Sequence, residues 1–204
     1  MPWSERTPEV CLAAVTVCGE DLREVPGESI SPELCLAAVM QEGMSLEYVP
    51  PELRTYGLCL VAVKEDGWAL TEVPIRHRTY DLCLAAIMGC GEALCYVPEE
   101  LKTPELCLVA VKQDGWALSS VPPKLLTYEI CLLGVKGNSW GLAHMPEEYK
   151  TLEMCLVAVK GWGMTLIEVP IKHKTPEVCL AAIHSTPNAI QYSPYSILEL
   201  MSMK

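Results

Sequence analysis

The stretch Thr103–Leu126, TPELCLVAVKQDGWALSSVPPKLL, decides the fold because close copies of it recur along the chain at a fixed interval. A cysteine occupies the fifth position of every copy, 24 residues from the next, as Cys11, Cys35, Cys59, Cys83, Cys107, Cys131, Cys155 and Cys179. A proline column from Pro26 to Pro194 and a leucine column from Leu22 to Leu166, continued by Ile190, keep the same spacing. The sequence therefore predicts an array of eight repeats.

The first half of each repeat has the features of an α-helix. Thr or Ser opens it, often followed by Pro, and a Glu or Asp usually stands third, as at Thr103, Pro104 and Glu105. These residues favour a helix N-terminus. About ten residues later comes a glycine in most repeats, such as Gly67 or Gly115, which we expect to end the helix through its conformational freedom.

The second half of each repeat is too short for a full α-helix. Trp68–Val73 spans about one and a half turns before Pro74 prevents continuation. We expect one α-helix and one short 3₁₀-like helix per repeat, with a further turn at Pro-x-x-Leu. Six consecutive apolar residues in the first helix, such as Leu106–Val111, must be covered on several sides, which stacked neighbours do.

The predicted fold class is therefore all-α, an α-solenoid of eight 24-residue repeats over residues 7–198. Residues 1–6 form an N-terminal lead, and residues 199–204 form a C-terminal tail. No linker or second domain is expected, and the solenoid is either right-handed or left-handed. The first and last repeats depart most from the pattern, as end caps of an array do.

Composition excludes several classes of function. The chain has 204 residues, and 15 Lys plus Arg against 26 Asp plus Glu give a formal net charge of −11. On this charge we expect no direct binding of nucleic acid and no binding to an anionic membrane. No apolar run reaches the roughly 18 to 20 residues of a membrane span. The first residues, MPWSERTPEV, lack a secretory signal, so we expect a cytoplasmic protein.

The regular cysteines have a structural interpretation. Neighbouring members of the column are predicted to lie one packed helix apart, ~8–10 Å, whereas a disulfide needs Cα atoms within roughly 7 Å and zinc needs four ligands around one point. Each cysteine is flanked by Leu and usually Ala or Val, so we expect buried, unpaired thiols. No nucleotide-binding, metalloprotease or serine-hydrolase motif occurs. We expect no catalytic residue, no metal and no cofactor.

Three groups of residues are candidates for binding a partner. Acids at the third repeat position, including Glu105, Glu129 and Glu153, either complement helix dipoles or form a negative stripe for a basic partner, or do both. Trp68, Trp116 and Trp140 share one position after the turn and are either half-buried anchors or interface residues. Two basic turns, Arg76, His77 and Arg78 and then Lys172, His173 and Lys174, either bind an acidic partner or are solvated turns over a packed Ile75 and Ile171.

The repeat resembles a known family. TPELCLVAVK at Thr103–Lys112, DGWAL at Asp114–Leu118 and VPEELK at Val97–Lys102 are similar to the consensus of a family of bacterial and giant-virus repeat proteins known as a domain of unknown function. A looser similarity links the chain to the leucine-rich-repeat variant, another solenoid of α and 3₁₀ helices. The resemblance implies a bacterial α-solenoid built for binding, and it implies no activity.

Two function hypotheses follow from these observations. The first is a non-enzymatic scaffold that binds another protein, with a basic protein among the candidates, through one face of a rigid acidic solenoid. The second is a bacterial immunity or inhibitor protein that blocks a basic toxin enzyme such as a nuclease. An enzyme is a third class, for which the sequence offers no signature.

Overall fold

A computed structural model describes residues 7–202, so the predicted lead at residues 1–6 lies outside the described part of the chain. The chain divides into two compact units, residues 1–101 and residues 102–204. Residues 7–202 contain α-helices, 3₁₀ helices and turns, and no strand. The predicted all-α repeat solenoid is confirmed.

Each repeat begins with one α-helix. In the first unit these are α1 (Pro8–Val15), α2 (Pro32–Gln41), α3 (Tyr56–Glu65) and α4 (Tyr80–Gly89). In the second unit they are α5 (Pro104–Gln113), α6 (Tyr128–Gly137), α7 (Leu152–Gly161) and α8 (Pro176–Ser185). A ninth helix, α9 (Ile197–Ser202), follows the last repeat and was not expected from the repeat pattern.

A six-residue 3₁₀ helix follows each of these eight α-helices. The first unit has Gly19–Glu24, Gly43–Tyr48, Gly67–Glu72 and Gly91–Tyr96, and the second has Gly115–Ser120, Ser139–His144, Gly163–Glu168 and Pro187–Tyr192. At most of the Pro-x-x-Leu turns the chain adds a three-residue 3₁₀ helix: Gly27–Ser29, Ile75–His77, Glu99–Leu101, Pro123–Leu125, Glu147–Tyr149 and Ile171–His173. The repeat therefore contains one 3₁₀ segment more than we expected.

The opening Thr or Ser caps its helix as predicted. In α2 to α8 its hydroxyl accepts a hydrogen bond from the backbone N–H three residues later, at 3.2–3.4 Å. Thr7 of α1 makes no such bond. The cap satisfies one of the N–H groups that the first turn leaves without a helical partner.

The glycine at the thirteenth repeat position is needed for a different reason from the one the sequence suggested. No residue between 7 and 202 has a positive φ, and this glycine begins the 3₁₀ helix rather than capping the α-helix in a left-handed conformation. A Cβ on Gly67 would overlap the carbonyl oxygen of Ala86 in α4 and lie 2.8 Å from the Cβ of Cys90. The glycine therefore permits two successive repeats to approach backbone to backbone.

The two kinds of helix form two packed layers within each unit. Successive α-helices lie side by side, as do successive six-residue 3₁₀ helices, and α2 also packs against Gly19–Glu24 of the preceding repeat. Leu22, Leu46 and Leu70 of the first unit are completely buried between the layers, as are Leu118, Leu142 and Leu166 of the second. Every cysteine of the column is buried as well, as predicted.

The basic residue at the last repeat position joins neighbouring repeats, which the sequence analysis did not recognise. Arg78 donates from Nε to the carbonyl of Val73 at 2.9 Å, from Nη2 to that of Thr71 at 3.1 Å, and from Nη1 to that of Tyr96 in the next repeat at 2.8 Å. Arg54 makes the equivalent three bonds. We call this residue the clamp, because it pairs the last carbonyls of two successive 3₁₀ helices.

Lysine can serve as a shorter clamp. Lys102, Lys150 and Lys174 each donate from Nζ to the equivalent carbonyl of the following repeat, at 3.1–3.5 Å. Lys150 is also largely buried and forms an ion pair of 3.1 Å with Glu147. The fifth repeat has Leu126 instead of a clamp, and its side chain is apolar and buried.

Removing a clamp is expected to destabilise the first unit. Arg78→Met leaves three carbonyls without their charged donor, so the free energy of unfolding should fall by about 2–4 kcal/mol. Arg78→Lys keeps the bond to the next repeat and should cost about 1 kcal/mol. Chemical denaturation of both variants, with the exposed Arg76→Met as control, measures this. Equal stability of Arg78→Met and Arg76→Met would contradict the clamp.

Candidate functional site

The three candidate acids lie on successive helices of the second unit. Glu105, Glu129 and Glu153 stand in the first turns of α5, α6 and α7, and all three side chains are exposed. The Oη of Tyr128 donates to Oε2 of Glu153 at 3.2 Å. Glu105 and Glu129 form no ion pair with any other residue between 7 and 202. The stripe therefore presents carboxylates to solvent.

These carboxylates line grooves between neighbouring helices. A groove of about 220 Å³ lies between α5 and α6, and its lining includes Glu105, Glu129, Leu108 and Ile130. The equivalent groove between α1 and α2 has about 240 Å³ and is lined by Glu9 and Glu33. A hydrogen bond with Thr7 lowers the pKa of Glu9 below its usual value.

The tryptophans lie on the 3₁₀ layer and are partly exposed. In the first unit Trp68 packs edge-on against Tyr96, with ring centroids 5.8 Å apart. In the second unit Trp140 packs edge-on against Trp162 at 5.1 Å, and Trp116 has 45% of its surface exposed. The backbone N–H of each of the three candidate tryptophans donates a hydrogen bond of 2.9–3.0 Å to a side-chain oxygen two residues earlier, which belongs to Asp66, Asp114 or Asn138.

The two basic turns divide into structural and exposed residues. Arg78 and Lys174 are clamps, so their cationic groups are engaged with backbone carbonyls. Arg76 and Lys172 are exposed, and His77 and His173 are half-buried in place of the leucine of other repeats. His77 packs edge-on against Tyr56, with ring centroids 6.3 Å apart. Nε of Arg76 lies 3.3 Å from Nε2 of His77.

The idea that isoleucines pack beneath the basic turns is wrong. Ile75 and Ile171 both have 75% of their surface exposed. The reason is geometric: in these turns the half-buried side chain is the histidine two residues later, while the residue directly after the proline points to solvent. The two turns lie in different units, and each presents an apolar side chain beside a cation.

Burial raises the pKa of several thiols in the cysteine column and so lowers their reactivity. Burial raises the pKa of Cys35 and Cys59 above the usual value, and it raises those of Cys83, Cys131 and Cys155 from 9.0 to about 11. No disulfide joins the cysteines of the column. Because the thiolate is the nucleophile, these groups should react slowly in the native state. Cys18 and Cys95 are exposed.

The same pKa values predict alkaline destabilisation. The folded-state pKa of about 11 exceeds the ordinary 9.0, so stability is complete below pH 9 and is lost as pH rises toward 11. Each of the three thiols should contribute roughly 2 to 3 kcal/mol to this loss. Denaturation at pH 8 and pH 10.5 tests it: Cys83→Ala should show a smaller decline than the parent chain. An identical decline in Cys83→Ala and in the surface control Cys18→Ser would contradict it.

Two further properties concern metals and membranes. Among residues 7–202, no group of three or more His, Cys, Asp or Glu residues could hold a metal ion. In the same part of the chain, none of the helices combines the length and the apolar character that crossing a membrane requires.

In the comparison with known proteins, part of the chain matches the model of one family. A model described as a domain of unknown function (DUF4116) matches twice, over residues 57–102 and residues 79–126. The two matches overlap, as expected where one family unit spans about two adjacent repeats, and they indicate a repeat-like family of unknown function. No curated protein and no solved structure matches the chain. The bacterial and giant-virus distribution and the similarity to the leucine-rich-repeat variant stay predictions.

Proposed function

We propose that this chain is a non-enzymatic scaffold that binds a basic protein through the grooves between successive α-helices. The observation that carries the proposal is the recurrence of one kind of groove, lined by two carboxylates and by aliphatic side chains, in α1–α2 and again in α5–α6. A lysine or arginine of the partner would pair with the carboxylates, and its methylene groups would cover the aliphatic surface.

The electrostatics of the chain support a basic partner. The formal net charge is −11, and the arginine clamps have their guanidinium groups engaged in bonds to backbone carbonyls. Exposed carboxylates on successive helices attract a cationic surface during diffusional encounter and so raise the association rate. An inhibitor of a basic toxin enzyme is one narrower form of this proposal, because such an enzyme offers the same kind of surface.

The tryptophans of the 3₁₀ layer provide a second contact in this proposal. Trp116 is the most exposed of the three candidates, and its ring forms no aromatic pair with another residue between 7 and 202. Trp116→Ala should mainly speed dissociation of the partner, by an amount equivalent to about 1–4 kcal/mol for an interface anchor. Surface plasmon resonance measures this. Met88→Ala, which removes an exposed apolar side chain of α4 outside the 3₁₀ layer, is the control, and equal dissociation rates for both variants and the parent would refute the contact.

Affinity capture tests the proposal as a whole. The purified chain is immobilised, exposed to lysate of the source organism, and eluted with a salt gradient before mass spectrometry. The proposal predicts a basic protein that elutes at moderate salt and is not captured by a bait with Glu105, Glu129 and Glu153 changed to Lys. Retention of the same proteins by both baits would count against it.

A further inference from the structure

The groove between α2 and α3 differs from the acidic grooves. It has a volume of about 290 Å³ and is lined by Pro32, Leu36, Leu53, Leu58 and Val61, together with Gly57 and one polar residue, the helix cap Thr55. Gly57 is the residue that interrupts the acid column, since Glu33 precedes it and Asp81 follows it in the neighbouring repeats. In the equivalent grooves the corresponding position is Glu33 or Glu129, and it lines the groove. The missing carboxylate therefore leaves this groove apolar.

Folding does not require glycine at this position. A Cβ on Gly57 would meet no atom within 4 Å, and the residue has no positive φ. Glycine in a helix is less stable than alanine, and an acid in the first helical turn is favourable. Seven of the eight repeats carry that acid. The sequence thus keeps the less stable residue at the one repeat where it opens an apolar groove.

The surroundings of the groove indicate its occupant. Glu33, Glu52 and Asp81 are exposed acids on the flanking elements. The nearest cation in sequence, Arg54, is engaged with three backbone carbonyls and with Glu72 at 3.6 Å. A volume of about 290 Å³ is just below the ~300–1,000 Å³ of small-molecule sites, and it suits one large side chain. A second copy would bring the same net charge of −11 and be repelled.

We propose that the groove between α2 and α3 is an anchor site for one large aliphatic side chain of a partner protein, flanked in the partner by lysine or arginine. The proposal rests on the proposed function and extends it, because it names the feature that selects among basic partners. Carboxylates in the neighbouring repeats hold the cations, while Leu36, Leu58 and Val61 cover the anchor. A basic segment without such a side chain would bind the acidic grooves and leave this one empty.

The test uses three capped peptides and two variants of the full chain. The first peptide has one leucine between two pairs of lysines, the second has alanine in place of leucine, and the third has glutamates in place of the lysines. Gly57→Glu restores the acid of the other repeats. Gly27→Glu is the matched control, because Gly27 also has no atom within 4 Å of its ideal Cβ and Glu99 and Glu147 occupy that position elsewhere. Methyl NMR reports binding at Leu36, Leu53, Leu58 and Val61.

The leucine peptide should shift these methyl signals saturably and bind roughly tenfold tighter than the alanine peptide. Gly57→Glu should weaken binding of the leucine peptide by about the same factor without lowering the unfolding midpoint of the chain, and Gly27→Glu should leave its binding unchanged.

Unchanged affinity of Gly57→Glu for the leucine peptide, or tighter binding of the glutamate peptide, would overturn the anchor site. If the lysine-alanine peptide binds and leucine adds nothing, the anchor fails while the proposed function stands. If neither lysine peptide shifts any signal, including those of the α5–α6 groove, both fail.

Discussion

Gly67→Ala should lower the free energy of unfolding of the first unit by about 3 kcal/mol. The added methyl would overlap the carbonyl oxygen of Ala86 and lie 2.9 Å from the backbone N of Cys90. Both are backbone atoms of the next repeat, so no side-chain rotation relieves the contact. The overlap can be removed only by separating the 3₁₀ helix Gly67–Glu72 from α4, which exposes the buried Leu70.

Two further variants make the prediction specific. Gly115→Ala should have a similar effect in the second unit, because its Cβ would lie 2.5 Å from the backbone N of Asn138. Gly27→Ala has open space and should leave stability unchanged or slightly raised. Thermal and urea unfolding followed by circular dichroism measures all three. If Gly67→Ala were as stable as Gly27→Ala, backbone contact between repeats would not explain the glycine column.

One repeat supports this explanation by departing from the column. Ser139 occupies the glycine position of the sixth repeat, and the facing residue in the seventh repeat is Gly161, where a Cβ would overlap the Oγ of Ser139. Ser139 has a side chain at this position, and the facing Gly161 has none. At this boundary the Ser139 side chain therefore lies where the seventh repeat has no Cβ of its own.

The sequence predicted the regular elements well because each depends on local chemistry repeated eight times. Threonine caps, proline stops and the buried cysteine column can be recognised within a single repeat, and averaging over the repeats removes chance matches. The sequence predicted the position of the glycine column correctly and the reason for it incorrectly. The atom that a Cβ on Gly67 would overlap is the carbonyl oxygen of Ala86, which belongs to the next repeat. Contacts across repeats have no signature in the local pattern.

The candidate site was predicted less completely for the same reason. The clamp was visible as a recurring basic residue, at Arg54, Arg78, Lys102, Lys150 and Lys174, yet its acceptor is a carbonyl eighteen residues away, which only the packing reveals. The two basic turns therefore contain one structural cation each. In the sequence, the groove at Gly57 is marked only by a glycine at the third repeat position, and its volume depends on α2 and α3 lying side by side.

Reversal of the acid stripe should have the largest effect on recognition. Changing Glu105, Glu129 and Glu153 to Lys replaces an attractive surface by a repulsive one, so association with a basic partner should slow by at least about tenfold. Folding should survive, because each helix-start acid contributes only ~0.3–1 kcal/mol. The matched control changes the exposed turn residues Glu28, Glu100 and Glu148 to Lys, which gives the same net charge without altering the stripe.

The measurement that tests the proposed function most directly is the association rate of the captured partner as a function of salt, for the parent chain, the stripe reversal and the turn reversal. Exposed charges are screened beyond ~8–10 Å at physiological ionic strength, so the parent rate should fall steeply as salt rises. We predict that the stripe reversal is slow at all salt concentrations and that the turn reversal stays close to the parent. Equal rates and equal salt dependence for the parent and the stripe reversal, with unaltered circular dichroism, would contradict recognition through the acidic grooves.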